Sequence, residues 1–231
     1  MIKSKENDFI VYLKPKPFNR TNFLLMKYWK HIVLFFIFLA IKTSQADAQG
    51  YLKLGVFQPT GELGFMFGKT LSTEIGFKDD LYQRHVRLRF GAAFIKQQPR
   101  MNPFPVNSYG NSSQGFFIYT ATQQINKYNF IQFSIGGDYA LAAEGKLKPY
   151  VGLDVSLTAI QYEYTAKSPA SNSEVYNSTA GMSLRGRMGI EYELNNRTNI
   201  FFEAQRQYGL IVEVMYYSAN DFGIGLTYDF N

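Results

Sequence analysis

The sequence predicts an all-β fold: an eight-stranded antiparallel up-and-down β-barrel that spans a membrane and follows a cleavable signal peptide. Three observations predict it. Apolar residues alternate with small or polar residues through most of the chain after Gly50, which is the period of a strand with two different faces. Aromatic residues make up 17% of the 231 residues, whereas charged residues make up only 18%. No sustained helical stripe interrupts the alternation after Gly50.

The N-terminal part has the pattern of a secretory signal peptide. Lys27 and Lys30 precede an apolar run at 32–41, and Ala46 and Ala48 form an Ala-x-Ala cleavage site. Ten apolar residues span about 15 Å of helix, half of the hydrocarbon core, so a permanent transmembrane helix is not expected. The predicted organisation is an upstream extension at 1–25, a signal peptide at 26–48 and a barrel at 49–231.

The net charge of +6 belongs mainly to the leader. Without residues 1–48 the chain keeps 16 basic and 15 acidic side chains. A nucleic-acid partner is therefore not expected. The chain has no cysteine, which excludes disulfides, thiolate metal sites and cysteine nucleophiles.

The alternation divides the rest of the chain into eight strands. The clearest is the segment in which Val151, Leu153 and Val155 share one face, while Asp154 and Ser156 share the other. The predicted strands are 61–68, 71–78, 84–95, 126–141, 148–164, 179–194, 198–208 and 218–230.

A soluble sandwich or lipocalin would also alternate, with its apolar face inward. Three features favour a membrane barrel, whose apolar face contacts lipid. The polar face mixes Gly, Ser and Thr with Arg and Glu rather than with many lysines. Aromatic residues such as Tyr139, Tyr150 and Tyr192 cluster at strand ends, as an interfacial girdle requires. Short turns also alternate with long polar loops, predicted at 96–125, 165–178 and 209–217.

Together with the signal peptide and the eight strands, the final strand resembles that of the small outer-membrane β-barrel family of Gram-negative bacteria. The resemblance implies insertion into outer-membrane lipid by the barrel-assembly machinery, which reads a last strand that ends in an aromatic residue. Here Asn231 follows that residue. The residues matched to this assembly signal are Phe222, Leu226, Tyr228 and Phe230. The resemblance is architectural and implies no catalytic motif.

Candidate catalytic residues are scarce. His85 is the one histidine after the leader, and it is predicted at the periplasmic start of a strand, away from the external rim. A single histidine without cysteine cannot supply a transition-metal site. The sequence therefore predicts neither an enzyme nor a cofactor or metal.

The inward faces carry the one charged constellation. An eight-stranded barrel has an interior that side chains can fill, and enclosed charges must pair. We expect a structural ion-pair network, in which Arg185 and Arg187 are partnered by glutamates of their own and the next strand. The predicted members are Arg87, Arg89, Arg185, Arg187, Asp138, Asp154, Glu191, Glu193 and Glu203, together with Glu62 and Glu74 on the same inward parity. The alternative is a selective path for small solutes or protons.

The loop at 96–125 is the candidate site for an extracellular ligand. It holds three prolines and five aromatic residues, and loops of this length are usually functional or disordered. The segment 116–122 is expected to continue the following strand above the membrane. The sequence thus predicts an outer-membrane protein with a structural or surface-binding role, and a narrow channel or transport accessory is the alternative.

Overall fold

The computed structural model describes residues 48–81, 85–112, 115–142, 144–167, 172–211 and 215–230. The predicted extension at 1–25 and nearly all of the predicted signal peptide lie outside these ranges. In the part of the chain that the structure describes, no helix is long and apolar enough to cross a bilayer.

Nine strands and one short helix form the described structure. The strands are β1 (Ala48–Thr60), β2 (Thr70–Leu81), β3 (Val86–Lys96), β4 (Phe104–Ser112), β5 (Gly115–Ala140), β6 (Leu147–Lys167), β7 (Asn172–Asn195), β8 (Thr198–Ile211) and β9 (Met215–Asp229). The helix, α1, covers Glu62–Met66 between β1 and β2.

Eight of these strands close into an up-and-down barrel. Each pairs antiparallel with its neighbour, β3 pairs directly with β5, and β1 pairs with β9 to complete the circle. Closure leaves no free edge within the barrel wall, which is what a lipid environment requires of a β-structure. The ninth strand, β4, pairs only with the first part of β5 and stands outside the circle. The predicted eight-stranded antiparallel barrel is confirmed.

The two faces of the wall are apolar outside and polar inside. On the outer face Leu153, Leu184 and Leu226 are 56%, 48% and 50% exposed, whereas Ser156 and Ser183 on the inner face are 1% and 5% exposed. A closed barrel with an apolar outer belt is the β-architecture of outer-membrane proteins. The chain is therefore an outer-membrane β-barrel, and the soluble alternative with its inverted facing is wrong.

The first predicted strand, 61–68, is wrong. Gly61 adopts φ +64°, which ends β1, and the chain then makes one helical turn through Glu62–Met66. Leu63 and Phe67, which were expected to face outward, are instead 1% and 0% exposed inside the barrel mouth. Their spacing of four residues fits a helix as well as it fits strand alternation, and short apolar runs do not distinguish the two.

The true first strand, β1, lies upstream of the predicted one. Leu52, Leu54 and Val56 are exposed on its outer face, as the alternation rule requires. Its inner face carries Tyr51 and Phe57, so apolar residues lie on both parities of this segment and obscure the period.

All three predicted long loops are mostly strand. The segment 96–125, predicted as a loop that binds a ligand, contains β4 and the first part of β5, which pair with each other. β6 extends to Lys167 and β7 begins at Asn172, so the segment 165–178 is largely a hairpin. The segment 209–217 is divided between the end of β8 and the start of β9. The predicted extension of a strand through 116–122 is confirmed, because β5 begins at Gly115.

Strand length distinguishes the two ends of the barrel. The short connections after β2, β5 and β7 lie at the end that holds the first residues of β1 and the last residues of β9. At the opposite end, β5, β6 and β7 extend beyond the membrane. These strands are 26, 21 and 24 residues long, whereas a strand of about 9–11 residues is enough to cross a bilayer. Short turns are periplasmic and longer excursions external in this architecture. We call the two ends periplasmic and external accordingly.

Candidate functional site

Among the described residues, twelve buried charged side chains lie in the lumen, and their formal charges cancel. Each is at most 7% exposed. The six cations are Lys53, Lys78, Arg87, Arg89, Arg185 and Arg187, and the six carboxylates are Glu74, Asp138, Asp154, Glu191, Glu203 and Asp221. An electroneutral set is what an enclosed interior requires, because an unpaired ion there is very costly. We call these twelve residues the lumen network.

Two glutamates from different strands form the centre of the network. Glu74 accepts hydrogen bonds from the Tyr51 hydroxyl at 2.7 Å and from Arg89 Nη2 at 3.0 Å. Its second oxygen lies 3.2 Å from Lys53 Nζ. Glu203 is bound by Arg89 Nη1 and accepts a hydrogen bond from the Tyr150 hydroxyl at 2.8 Å. Arg89 thus bridges two carboxylates from β2 and β8 across the barrel.

Arg185 and Arg187 are partnered mainly by aspartates. Arg187 Nε donates to Asp138 at 2.7 Å, and its Nη1 donates to Asp154. Arg185 Nη2 donates to Asp154 at 3.0 Å and its Nη1 lies 3.5 Å from Glu74.

The expectation that glutamates of β7 and β8 partner these two arginines is therefore largely wrong, and Glu203 approaches Arg187 only to 3.9 Å. Strand register explains the difference. Asp154 pairs directly with Arg185, and Gly152 lies between Asp138 and Arg187.

A second cluster lies nearer the periplasmic end. Glu191 accepts hydrogen bonds from Arg87 at 2.7 Å, from Lys78 at 3.3 Å and from the Asn199 amide at 2.7 Å. The Lys78 ammonium also lies 4.4 Å from the centre of the Phe201 ring, a cation–π distance.

The structure brings together eight of the nine residues predicted from the sequence as the charge network. Glu193 is the exception, because it pairs with Lys148 at 3.3 Å where both side chains are about one-third exposed. Glu62 lies in α1 rather than on a barrel strand.

Sequence reasoning missed Lys53, Lys78 and Asp221. Lys53 lies on the overlooked β1, where it contacts Glu74, Glu203 and Asp221 at 2.8–3.3 Å. Lys78 ends the predicted strand 71–78 and Asp221 lies within the predicted strand 218–230, both on the inward parity, but neither is among the predicted inward charges. A cation deficit points to the two lysines, because four predicted arginines face a larger number of carboxylates and further inward cations are required. Asp221 could have been found from its inward parity in 218–230.

Tyr150 also belongs to this site. It was predicted to lie in the outer aromatic girdle, but it is 1% exposed and donates to Glu203. Tyr139, Tyr192 and Tyr228 do lie outward at the periplasmic end, at 51%, 44% and 45% exposure.

Above the lumen network lies a layer of uncharged polar side chains. The Tyr217 hydroxyl accepts from Gln207 at 2.6 Å and lies 3.1 Å from the Thr158 hydroxyl. Gln207 also donates to the Ser183 hydroxyl, which in turn contacts Ser156. This layer separates the charged centre from the external mouth.

The external mouth is filled by apolar side chains. Phe57, Phe130, Ile95 and Ile160 project from the wall, and each is at most 2% exposed. Leu63 of α1 and Phe67 just after it pack into the same cluster from above, and the centre of the Phe67 ring lies 4.4 Å from that of the Tyr128 ring. Three successive layers of buried side chains therefore occupy the described lumen.

The remaining predicted site residues lie away from the lumen. His85 is at the periplasmic end, where its Nδ1 lies 3.0 Å from the Ala140 carbonyl oxygen and its ring stacks on Tyr139. Across the described ranges, no group of three or more histidine, aspartate or glutamate side chains is arranged to hold a metal ion. The assembly-signal residues Phe222, Leu226, Tyr228 and Phe230 are all outward and 45–64% exposed. Their role in assembly stays a prediction.

No protein-family model matches the sequence, and no curated protein sequence is significantly similar to it. Solved structures with a similar arrangement of strands include Neisserial surface protein A, with 14% identity, coverage of 79% of this chain and 97% of that chain, and a TM-score of 0.49. The attachment invasion locus protein Ail of Yersinia pestis has 8% identity, coverage of 80% and 98%, and a TM-score of 0.45. A major outer membrane protein from Thermus thermophilus has 11% identity, coverage of 79% and 99%, and a TM-score of 0.46.

At such low identities the similarity concerns the fold alone. The assignment of the chain as an outer-membrane barrel does not depend on these comparisons. It rests on the number, order and closure of the strands and on the apolar outer face. The chain has the closed eight-stranded fold of the small outer-membrane β-barrels.

Proposed function

We propose that the protein is a non-catalytic surface-binding protein, in which a solid barrel anchors an external β-sheet that binds a partner. The observation that carries the proposal is the extent of β4–β7 beyond the length needed to cross the membrane. β4 pairs with β5 over Phe104–Ser112, β5 with β6 up to Lys167, and β6 with β7 from Asn172. We call the external parts of these four strands the external sheet.

The external sheet has an unpaired edge. β8 pairs with β7 only from Gly181 onward, and in the described structure the stretch Asn172–Asn177 shows strand pairing on its β6 side alone. Glu174 and Tyr176 are exposed on this stretch, Tyr176 at 68%. Unpaired strand edges accept an extended segment of another protein through main-chain hydrogen bonds, and exposed side chains on alternate residues add specificity.

The three lumen layers support this proposal over the channel alternative. A transport path needs continuous space, whereas Arg89, Tyr217 and Phe67 occupy successive levels of the barrel interior. A filled interior contributes rigidity instead, and a rigid base keeps a projecting sheet in a fixed orientation.

Truncation of the external sheet tests the proposal while the barrel is kept intact. Glu163 pairs with Tyr176, so replacing 163–176 by Asn-Gly joins the paired residues Tyr162 and Asn177. In the second arm, 106–121 is replaced by Asn-Gly, which joins Pro105 to Thr122. Both truncations end in a two-residue turn on paired strands, so each serves as the folding control for the other.

Outer-membrane expression in a Gram-negative host, followed by adhesion of the cells to immobilised matrix glycoproteins, is the measurement. We expect adhesion above that of host cells without the protein, and its loss when 163–176 is removed. Semi-native electrophoresis checks that both truncated barrels are folded. Equal adhesion by the wild type and both folded truncations, or none by the wild type, would contradict the proposal.

A further inference from the structure

A groove on the outer wall of the barrel, apart from both the lumen and the external sheet, combines an apolar floor with a basic upper end. It has a volume of about 500 Å³ and lies across β1, β2 and β3. Its floor includes Val56, Leu71 and Phe94, which are 41%, 75% and 48% exposed on the lipid-facing side. Its upper end carries Lys69 and Lys96. We call it the rim groove.

The position of the rim groove is fixed by the strands that build it. Lys69 immediately precedes β2 and Lys96 ends β3, so both lysines lie where the wall leaves the membrane on the external side. The Thr70 hydroxyl donates to the Lys96 carbonyl at 2.5 Å, and the Gly68 N–H donates to the Gln98 carbonyl at 3.0 Å. The two lysines are thus carried on adjacent, hydrogen-bonded segments rather than on separate loops.

The charge of the upper end is unbalanced. Both lysine side chains are exposed, and among the described residues neither forms an ion pair. Arg100 adds a third exposed cation beside Gly68, held by the donation of its Nε to the Phe67 carbonyl at 3.1 Å. The lumen network, by contrast, matches each cation with carboxylates. A cluster of exposed cations, whose two lysines have no ion-pair partner among the described residues, lies at the level of the lipid headgroups and has the chemistry that attracts phosphate.

We propose that the rim groove binds a phosphorylated anionic lipid of the outer leaflet. Lys69 and Lys96 contact the phosphate, and an acyl chain lies along Leu71, Phe94 and Val56. The combination argues for a lipid rather than a free anion, because the same groove presents both a phosphate-binding end and an apolar floor at membrane depth. This site does not depend on the proposed partner binding by the external sheet.

The test is a lipid titration followed by native mass spectrometry of the detergent-solubilised full-length mature protein. The probes are bisphosphorylated lipid A, zwitterionic phosphatidylcholine and inorganic phosphate. The variant is Lys69→Gln with Lys96→Gln. Its matched control is Lys127→Gln with Lys146→Gln, which removes the same charge from two exposed lysines outside the groove. Semi-native electrophoresis confirms that each variant is folded.

We expect the wild type to bind lipid A at least tenfold more tightly than phosphatidylcholine. The Lys69/Lys96 variant should lose about thirtyfold in lipid A affinity, since it removes two lysines that each contribute roughly 1 kcal/mol near a headgroup. The control variant should stay within about twofold of the wild type. A third variant, Leu71→Gln, should weaken lipid A binding through loss of apolar contact with the acyl chain.

Three results would overturn the proposal. An equal loss of affinity in both double variants would indicate a general charge effect. Unchanged affinity in the folded Lys69/Lys96 variant would place the lipid elsewhere. Full competition by inorganic phosphate, together with no effect of Leu71→Gln, would indicate a site for the free anion and not for a lipid.

Discussion

Arg187 shows why the inward charges stabilise this barrel only as a set. Its guanidinium binds Asp138 and Asp154, both of which are at most 2% exposed. The attraction within a buried ion pair offsets little more than the free-energy cost of removing two ions from water. Removing one partner, however, leaves the other charge buried without a counter-ion. The exposed pair of Lys148 and Glu193 differs, because water screens both charges.

Arg187→Ala should therefore destabilise the barrel far more than Lys148→Ala does. We expect a loss of about 3–5 kcal/mol in the free energy of unfolding for Arg187→Ala. The expected loss for Lys148→Ala is below about 1 kcal/mol. Urea unfolding in lipid vesicles, followed by circular dichroism, measures both, since the single tryptophan, Trp29, lies in the predicted leader. Similar losses in the two variants would show that water reaches the lumen network.

Side chains on the outer face of β6 test the depth of the membrane. Leu147 lies at the periplasmic start of β6, and Leu153 lies near the middle of the first stretch of about 9–11 residues, which is enough to cross a bilayer. Their side chains are 55% and 56% exposed on the same face. Leu153→Arg should cost about 2–4 kcal/mol, and Leu147→Arg about 0–1 kcal/mol, because the cost of arginine falls toward the interface. Equal costs in vesicle unfolding experiments would contradict the assigned membrane position.

Arginine at the inner positions Ser156 and Ser183 is not a suitable control for that comparison. The two hydroxyls contact each other, and Gln207 donates to Ser183 at 2.9 Å. An arginine there would meet a filled interior, so overpacking would add to any electrostatic effect.

At the scale of elements, glycines on the inner face make the cross-strand ion pairs possible. Gly152 of β6 lies between Asp138 of β5 and Arg187 of β7 in the register of the three strands. A Cβ at Gly152 would lie 2.2 Å from Asp138 Oδ1 and 2.7 Å from Arg187 Nε. The two charged groups therefore meet in the space that a side chain on β6 would occupy.

Gly152→Ala should accordingly destabilise the barrel by about 1–3 kcal/mol through overpacking. Gly186→Ala on β7 is the control, because a Cβ there meets no atom within 4 Å. We expect this control to be neutral or slightly stabilising, since glycine weakens a strand interior. Unfolding midpoints in urea measure the difference, and comparable losses in the two variants would assign the effect to the strand backbone instead of the ion pair.

Two separate sets of buried side chains block the interior of the barrel. The lumen network and polar layer fill its centre, and the apolar cluster under α1 fills its external mouth. Removing one set leaves the other, so the interior is expected to stay impermeable when the α1 segment alone is altered.

Planar-bilayer recording should show no stable conductance from the wild type. Replacing 61–67 by a Gly-Ser linker should leave the bilayer equally silent, because the charged and polar layers remain beneath it. Steady, ion-selective current from the wild type would favour the channel alternative over the surface-binding role. Current from the linker variant alone would show that the apolar cluster is the sole barrier.

Alternation along the chain was sufficient to predict the barrel, its facing and most of its inward charges. Period-two alternation follows from the geometry of a single strand, so Leu153 outward and Asp154 inward could be assigned without neighbours. The alternation predicted a strand at 61–68 that does not form. There a positive φ at Gly61 and a short helical turn place Leu63 and Phe67 in the external mouth of the barrel. The partners of the individual charges could not be predicted in this way. Pairing depends on register and closure between distant strands, as in Lys53 with Asp221 across the β1–β9 seam, and no local pattern encodes that distance.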